Sequence, residues 1–399
     1  MFTLSNLKKF TKDDWCYLSC DFSVTGIESP FKEKTMWVAV KAENADMLAD
    51  NVYDPFVVVP VALGMFYNQD VHIEGNVSPK LYHNIQHYVM NILDRFSDCT
   101  SPIQFTVNGF DTVKPAGGLI GTGFSCGVDS CVTVYDNFVK ESDPNFRINS
   151  LFFFNCGNHG LFEDATTIER FFSRVELARP GAEELGLPMY VVNSNYHAFA
   201  GEIGYQVIGQ LAVISCAHSL QRYIKRYYVA STLSYDESAQ FSRLEREHCI
   251  ASYSESYLYH LLSTENCEIV SDGCQYTRPE KTERISDWTI AQKYLNVCVS
   301  EKDGNGGNCS RCTKCARTII TLEAMGKLEQ FKDVFDLDVW HKEAFRWKCW
   351  YVAQRKDAKP LALEAAKYAR ERGMRLPPRW LAIIVRFVRH HLVRLKVLK

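Results

Sequence analysis

The chain has 399 residues, 46% hydrophobic and 23% charged, which is the balance of a folded globular protein with room for two or three domains. That excludes a disordered or fibrous chain, and a net charge of −2 excludes a generic polyanion binder. The charge is uneven: residues 351–399 carry 13 Lys/Arg against 3 Asp/Glu, so the body before them is acidic and the tail is basic. No run reaches the ~18 apolar residues of a membrane span. The opening segment MFTLSNLKKFTKDDWCYLSC lacks an apolar h-region and a small-residue cleavage site, which argues against a secretory signal. Most of the 15 cysteines sit singly in apolar runs, as Cys131, Cys156 and Cys216 do. The expectation is buried thiols in a cytoplasmic protein.

Residues 1–115 read as mixed α/β. WVAVKA and FVVVPVAL are apolar and rich in β-branched residues, as buried strands are. HIEGNV leads into a helix, with Ser78 as cap, Pro79 at the first helical position and a stripe of Leu81, Ile85, Tyr88, Val89, Ile92 and Leu93. From about 116 strands and helices alternate. LIGTGF, SLFFFNC, PMYVVNSN and YYVAST are the strands. Helices are expected at VDSCVTVYDNFVK, DATTIERFFSRVELARPGAEEL and GYQVIGQLAVISCAHSLQRYIKR. Such alternation indicates an α/β fold with a parallel, doubly wound sheet, in which ligands bind at the carboxyl ends of the strands.

The loop after the first of these strands is Ser125-Cys126-Gly127-Val128-Asp129-Ser130, and it opens a helix. Free N–H groups and the positive dipole end make such a place an anion site. Ser125 and Ser130 add hydroxyls, and Asp129 can cap the helix or meet a Mg²⁺. The plain alternative is a capped helix after a tight turn. Walker and dinucleotide glycine patterns are absent.

This segment resembles the SGGxDS loop of the PP-loop ATP pyrophosphatase superfamily. Ser125, Gly127, Asp129 and Ser130 match that loop, while Cys126 replaces a glycine. The resemblance implies an adenine nucleotide alpha hydrolase-like fold, ATP and Mg²⁺ as cofactors, and pyrophosphate held by residues 125–130.

A second signal is Cys298-(x10)-Cys309-x2-Cys312-x2-Cys315. Four thiolates at this spacing suit a closed, structural Zn²⁺ site, with an iron–sulfur cluster as the alternative. Gly304 to Gly307 would let the chain double back, and Arg311, Lys314 and Arg317 would offset the thiolate charge. With the loop, this cluster resembles the zinc knuckle of the 7-cyano-7-deazaguanine synthase branch. The likeness covers about residues 116–325. The expected organisation is an N-terminal α+β accessory domain over 1–115, a PP-loop domain with its knuckle over 116–330, and a basic helical extension over 331–399.

The resemblance assigns further roles. Gly157 and His159 lie after the second strand, where family members meet nucleotide or substrate; a solvated loop is the alternative. Lys281, in a segment that opens a helix at Arg278-Pro279, is the basic residue facing the phosphates; a solvated helix face is the alternative. Asp129, Ser130 and Lys281 are then the candidate catalytic residues. The implied reaction adenylates a small carboxylate or amide substrate, releases pyrophosphate and lets ammonia or an amine displace AMP. A non-catalytic nucleotide-binding scaffold and an RNA-modifying PP-loop enzyme are the alternatives, the acidic body arguing against nucleic acid. Self-association as a homodimer is left open. Tyr235-Asp236 reads as a loop cap after the fourth strand. The tail is expected to form a helix beyond Pro377-Pro378, with Ile384, Phe387, Val388, Leu395 and Leu398 on one face and Arg386, Arg389, Arg394 and Lys396 opposite. It would meet the acidic body, an acidic partner or an anionic membrane surface.

Overall fold

A computed structural model describes residues 1–244, 246–248, 251–298, 307–355 and 360–394. The chain divides into two compact units, Met1–Phe124 with Thr133–Cys274, and Ser125–Val132 with Gln275–Lys399. The architecture is α/β with a mostly parallel sheet of ten strands, compatible with a doubly wound arrangement.

The first unit holds the sheet. Its elements are β1 (Phe2–Lys12), β2 (Trp15–Val24), β3 (Thr35–Lys41), α1 (Val58–Tyr67), β4 (Val71–Val77), α2 (Pro79–Asn84), α3 (Met90–Phe96), β5 (Phe105–Phe110) and β6 (Leu119–Gly123). After the crossing helix α4 (Val128–Val134) come β7 (Ser150–Phe154), α5 (Thr166–Leu185), β8 (Met189–Ser194), α6 (Tyr205–Ser219), β9 (Ile224–Ala230), α7 (Tyr235–Leu244), α8 (Glu255–Leu258) and β10 (Glu268–Asp272). The order is β10-β9-β6-β7-β8-β3-β2-β1-β4-β5. The strands of the βα series lie together, and β3 joins them antiparallel to β8, with Val38 opposite Ser194 and Val40 opposite Val192. One core runs through both parts, from Phe2, Leu18 and Val38 to Phe152, Val192 and Tyr227.

The join has a polar lock. Asn195, wholly buried, accepts from the Trp37 amide at 2.8 Å and donates to the Thr35 carbonyl at 2.7 Å. Its amide side chain thus serves as an extra ladder rung where β8 ends. A second buried network centres on Asp54, which accepts from the Ser78 amide and hydroxyl and from Gln221 Nε2 at 2.7 Å.

Several sequence expectations are corrected here. FVVVPVAL is mainly helix: α1 begins at Val58, and its residues from Val58 through Met65 are buried. A helix apolar on every side has no 3.6-residue signature, so it reads like a buried strand. Ser78 precedes Pro79 as expected, but its hydroxyl goes to Asp54 and makes no cap bond. Tyr88 leaves the expected stripe and is exposed, because residues Ile85–Val89 form a π-helical turn that passes burial to Met90. Ile224–Arg226, read as helix end, begin β9. Tyr235 and Asp236 form the first turn of α7 and not a loop.

The second unit is helical. It contains α9 (Arg278–Arg284), α10 (Thr289–Tyr294), α11 (Thr313–Ala324), α12 (Leu337–Val352), α13 (Pro360–Glu371) and α14 (Arg379–Arg394). α13 ends at Glu371, before Gly373 at φ +76°, and Pro377-Pro378 lead into α14. α14 packs on α12 with Ala382 buried. Its residues Ile384, Phe387 and Val388 point to solvent. Leu395, Lys396 and Leu398, and Gly304 to Gly306, lie outside the described residues.

Candidate functional site

The loop Ser125–Ser130 makes a tight turn into α4. Cys126 takes φ +57°, the left-handed region that glycine enters without a Cβ penalty. Its side chain is buried, and its carbonyl accepts from the Asn296 amide at 2.7 Å. Burial pushes the Cys126 thiol up to about 12, so it is a neutral packing group and not a nucleophile. Ser130 Oγ donates to the Gly127 carbonyl at 3.1 Å and lies 3.4 Å from Ser125 Oγ. The Cys131 amide donates to the Gly127 carbonyl at 2.9 Å. The amides of Val128, Asp129 and Ser130 come before that bond and have no carbonyl one turn back inside the helix. The Val128 side chain is buried, which leaves its backbone as the group to meet a ligand.

Charge converges on this loop within its own unit. Thr277 and Glu280 form a capping box that fixes the start of α9, with Thr277 N and Oγ1 each 2.7 Å from Glu280 Oε2. That start presents Arg278 and Lys281, three residues apart, on one face. Arg278 Nη2 lies 2.7 Å from Asp129 Oδ2, and Lys281 Nζ lies 3.3 Å from Asp129 Oδ1. Lys281 is 1% exposed. Arg317 of α11 is a third cation. Burial, and then the Arg278 guanidinium, push its pKa down, while Tyr351, Asp129 and Glu364 act the other way. Among the described residues Arg317 Nε, which is buried, has no hydrogen-bond partner.

Sequence reasoning named Lys281 by resemblance, and the structure brings it to Asp129. It missed Arg278 as a separate contributor and assigned Arg317 to the knuckle. The missed signal was helical phase. Cys315 and Arg317 are two residues apart on α11, about 200° around the axis, so their side chains leave the helix on different sides.

The cysteine cluster is assembled. The sulfurs of Cys298, Cys309, Cys312 and Cys315 all lie within 4.8 Å of one another. Cys298 and Cys312 are 3.7 Å apart at sulfur, and Cys309 and Cys315 3.9 Å. A tetrahedral shell with Zn–S near 2.3 Å places sulfurs about 3.8 Å apart, whereas a disulfide would need about 2 Å. Cys312 caps α11 and accepts from the Cys315 amide. The four residues fit a closed metal shell such as zinc takes. Thirteen described cysteines are free thiols, and Cys99 is disulfide-bonded.

Gly157 and His159 belong to the other unit. Gly157 takes φ +99°, a turn that excludes a side chain. His159 is not solvated: it is buried against Phe153 and Phe171, with ring centroids at 5.9 and 5.4 Å. Burial holds it down to about 3, with Arg174 and His197 adding to the effect. Among the described residues its Nδ1 has no hydrogen-bond partner. Among the described residues no helix is long and apolar enough to cross a membrane. Comparison with protein-family models, with characterised proteins and with solved structures finds no match to this chain.

Proposed function

We propose that the chain is an ATP-dependent adenylating enzyme of PP-loop type, with an adenine nucleotide alpha hydrolase-like fold. One observation carries the reading: Arg278 and Lys281 both hold the single loop carboxylate, Asp129, at the start of a helix, with buried Arg317 within electrostatic reach of it. Buried cations at a helix start suit a polyanion, which gains from both the side-chain charge and the helix amides. A nucleotide triphosphate would exchange its own charge for that of Asp129 at the guanidinium and ammonium groups. The helix amides and the Ser125 and Ser130 hydroxyls would hold the remaining phosphate oxygens.

The residues fit Mg²⁺ only in company with phosphates, because Asp129 is the one loop carboxylate and two cations already hold it. Mg²⁺ arriving on the nucleotide would neutralise phosphate charge beside Asp129. The zinc site is structural in this reading, since four cysteines leave no open position.

In the proposed reaction an oxygen of the substrate carboxylate attacks the α-phosphorus. The bond to the α–β bridging oxygen breaks, and pyrophosphate leaves with that electron pair. Arg278, Lys281 and Arg317 stabilise the charge that builds on the leaving group. Ammonia or an amine then attacks the acyl carbon, AMP departs, and the nitrogen loses a proton. A nucleotide-binding scaffold is the second reading, favoured by the Cβ of Cys126 in a left-handed turn. The test is incubation with ATP, Mg²⁺, ammonia and a panel of small carboxylic acids. AMP plus pyrophosphate supports the enzyme. ATP binding without cleavage supports the scaffold, and ADP plus phosphate would exclude the proposed chemistry.

A further inference from the structure

α14 carries two faces of unequal burial. Leu381, Ala382 and Val385 lie toward α12, where Ala382 is wholly buried. Beside it runs an apolar face open to solvent: Trp380 is 65% exposed and Phe387 63%, with Ile383, Ile384 and Val388 close to half, and Ile383 and Phe387 reach the cavity between α12 and α14. These five residues recur at intervals of three and four, so they form one stripe along the helix. A contiguous apolar patch of this kind marks an interaction site.

The charge beside the stripe says what it meets. A cavity of about 780 Å³ lies between α12 and α14. Its lining includes Arg346, Arg355, Arg379, Arg386 and Arg389, together with Trp347 and Trp350. Arg346 is paired with Glu343. Arg386 and Arg379 instead donate to the carbonyls of Ala353 and Gln354, which orients the guanidiniums without cancelling their charge. No acidic residue follows Glu371 in the sequence. Guanidiniums over an indole floor, next to an outward apolar stripe, match a surface that offers phosphates and hydrocarbon side by side.

We propose that α14 docks on an anionic phospholipid surface. Trp380, Ile384 and Phe387 enter the acyl boundary, and Arg379, Arg386 and Arg389 meet lipid phosphates at the mouth of the cavity. A lipid surface is favoured over an acidic protein because Trp380, Ile384 and Val388 form an open helix face while Ile383 and Phe387 sit at the cavity rim among the arginines, so hydrocarbon and cation lie side by side along one helix. Interfacial helices combine these features: a strong amphipathic division, basic flanks and aromatic residues at the boundary.

The test is co-sedimentation of the full chain with vesicles of phosphatidylcholine alone and of phosphatidylcholine with one-third phosphatidylglycerol. Binding to the anionic vesicles is expected to exceed that to neutral ones by at least tenfold at low salt and to fall as salt rises. The pair Trp380→Ser and Phe387→Ser should reduce it at least tenfold. The triple change Arg379→Gln, Arg386→Gln and Arg389→Gln should bring the anionic-to-neutral ratio close to one. Both variants alter exposed or rim positions, and circular dichroism with thermal melting checks that they fold. A parent chain that stays in the supernatant with anionic vesicles overturns the proposal. So does binding that survives the Trp380/Phe387 change, or retention on polyglutamate with no vesicle binding.

Discussion

Lys281 holds its Nζ 3.3 Å from Asp129 Oδ1 across 152 residues of sequence. The lysine is 1% exposed and shares its carboxylate with Arg278. Arg317 lies in the same field. An arrangement of this sign is poor for stability and good for holding a polyanion, which gives a prediction with two opposed readouts. Arg317→Met keeps much of the apolar stem and removes a desolvated charge. Stability should hold or rise by about 1 kcal/mol, as when buried ionic groups are replaced by apolar ones. Pyrophosphate affinity, measured by calorimetry, should fall at least tenfold. Loss of both stability and binding would mean that Arg317 is structural cement and not part of an anion site.

Asp129 gives the complementary result. Asp129→Asn removes the carboxylate charge that Arg278 and Lys281 share. We expect a loss of about 2–4 kcal/mol, of the size seen when one partner of a buried pair is removed. Pyrophosphate should recover part of that loss, because a bound anion stabilises by mass action. Thermal melts with and without pyrophosphate read both effects. A melting point unchanged by the substitution would show that the ion pairs contribute nothing.

Cys126 tests the loop backbone. At φ +57° a β-branched residue is a far worse occupant than glycine. Cys126→Gly removes a left-handed penalty of about 1–2 kcal/mol but adds about 0.5–1 kcal/mol of backbone entropy and forfeits a small buried side chain. The net change should be small, and any ATP cleavage should be kept or raised. Cys126→Val should destabilise by at least about 2 kcal/mol. Equal melting points for the Gly and Val variants would show that the turn is not held in this conformation.

The zinc prediction follows from α11, which begins at the cluster and carries Arg317 one turn further on. Elemental analysis should find one zinc per chain. Removal by a strong chelator should loosen the start of α11 and weaken pyrophosphate binding along with it, since structural zinc contributes directly to folding. Iron in place of zinc would assign the four thiolates to a cluster.

Legibility in the sequence followed physical distinctness. The strands of the βα series read clearly because Phe152, Phe153 and Val192 sit in short apolar runs between amphipathic helices. The cysteine cluster read clearly because metal spacing is local for three of its four ligands. α1 did not, because Val58 through Met65 have no polar side to set a period. Arg278 and Arg317 did not, because a lone arginine gains meaning only from the partner that folding supplies. Asn195 gave no signal either: nothing local shows that an amide will complete the edge of a strand.

The last prediction concerns acid. Burial holds His159 down to about 3, and His197 and His218 down to about 4, against an ordinary value near 6.5. A depressed folded pKa means that the unfolded chain takes up protons first as pH falls. The stabilisation from each neutral ring is complete above 6.5 and is lost as pH drops through its folded value. Asp54 opposes this. Burial raises its carboxyl to about 6 despite the Ser78 and Gln221 hydrogen bonds, so its contribution is complete below about 3.8 and is lost as pH rises through 6. Three histidines outweigh one carboxyl, and stability should fall between pH 6.5 and 4, each histidine supplying up to about 3 kcal/mol. Urea midpoints at pH 7, 6, 5 and 4.5 measure the slope. His159→Phe keeps an aromatic ring between Phe153 and Phe171 and removes one of three histidine sites opposed by one carboxyl, so its slope should be about one-half as steep. An unchanged slope would mean that His159 reaches solvent before the chain unfolds.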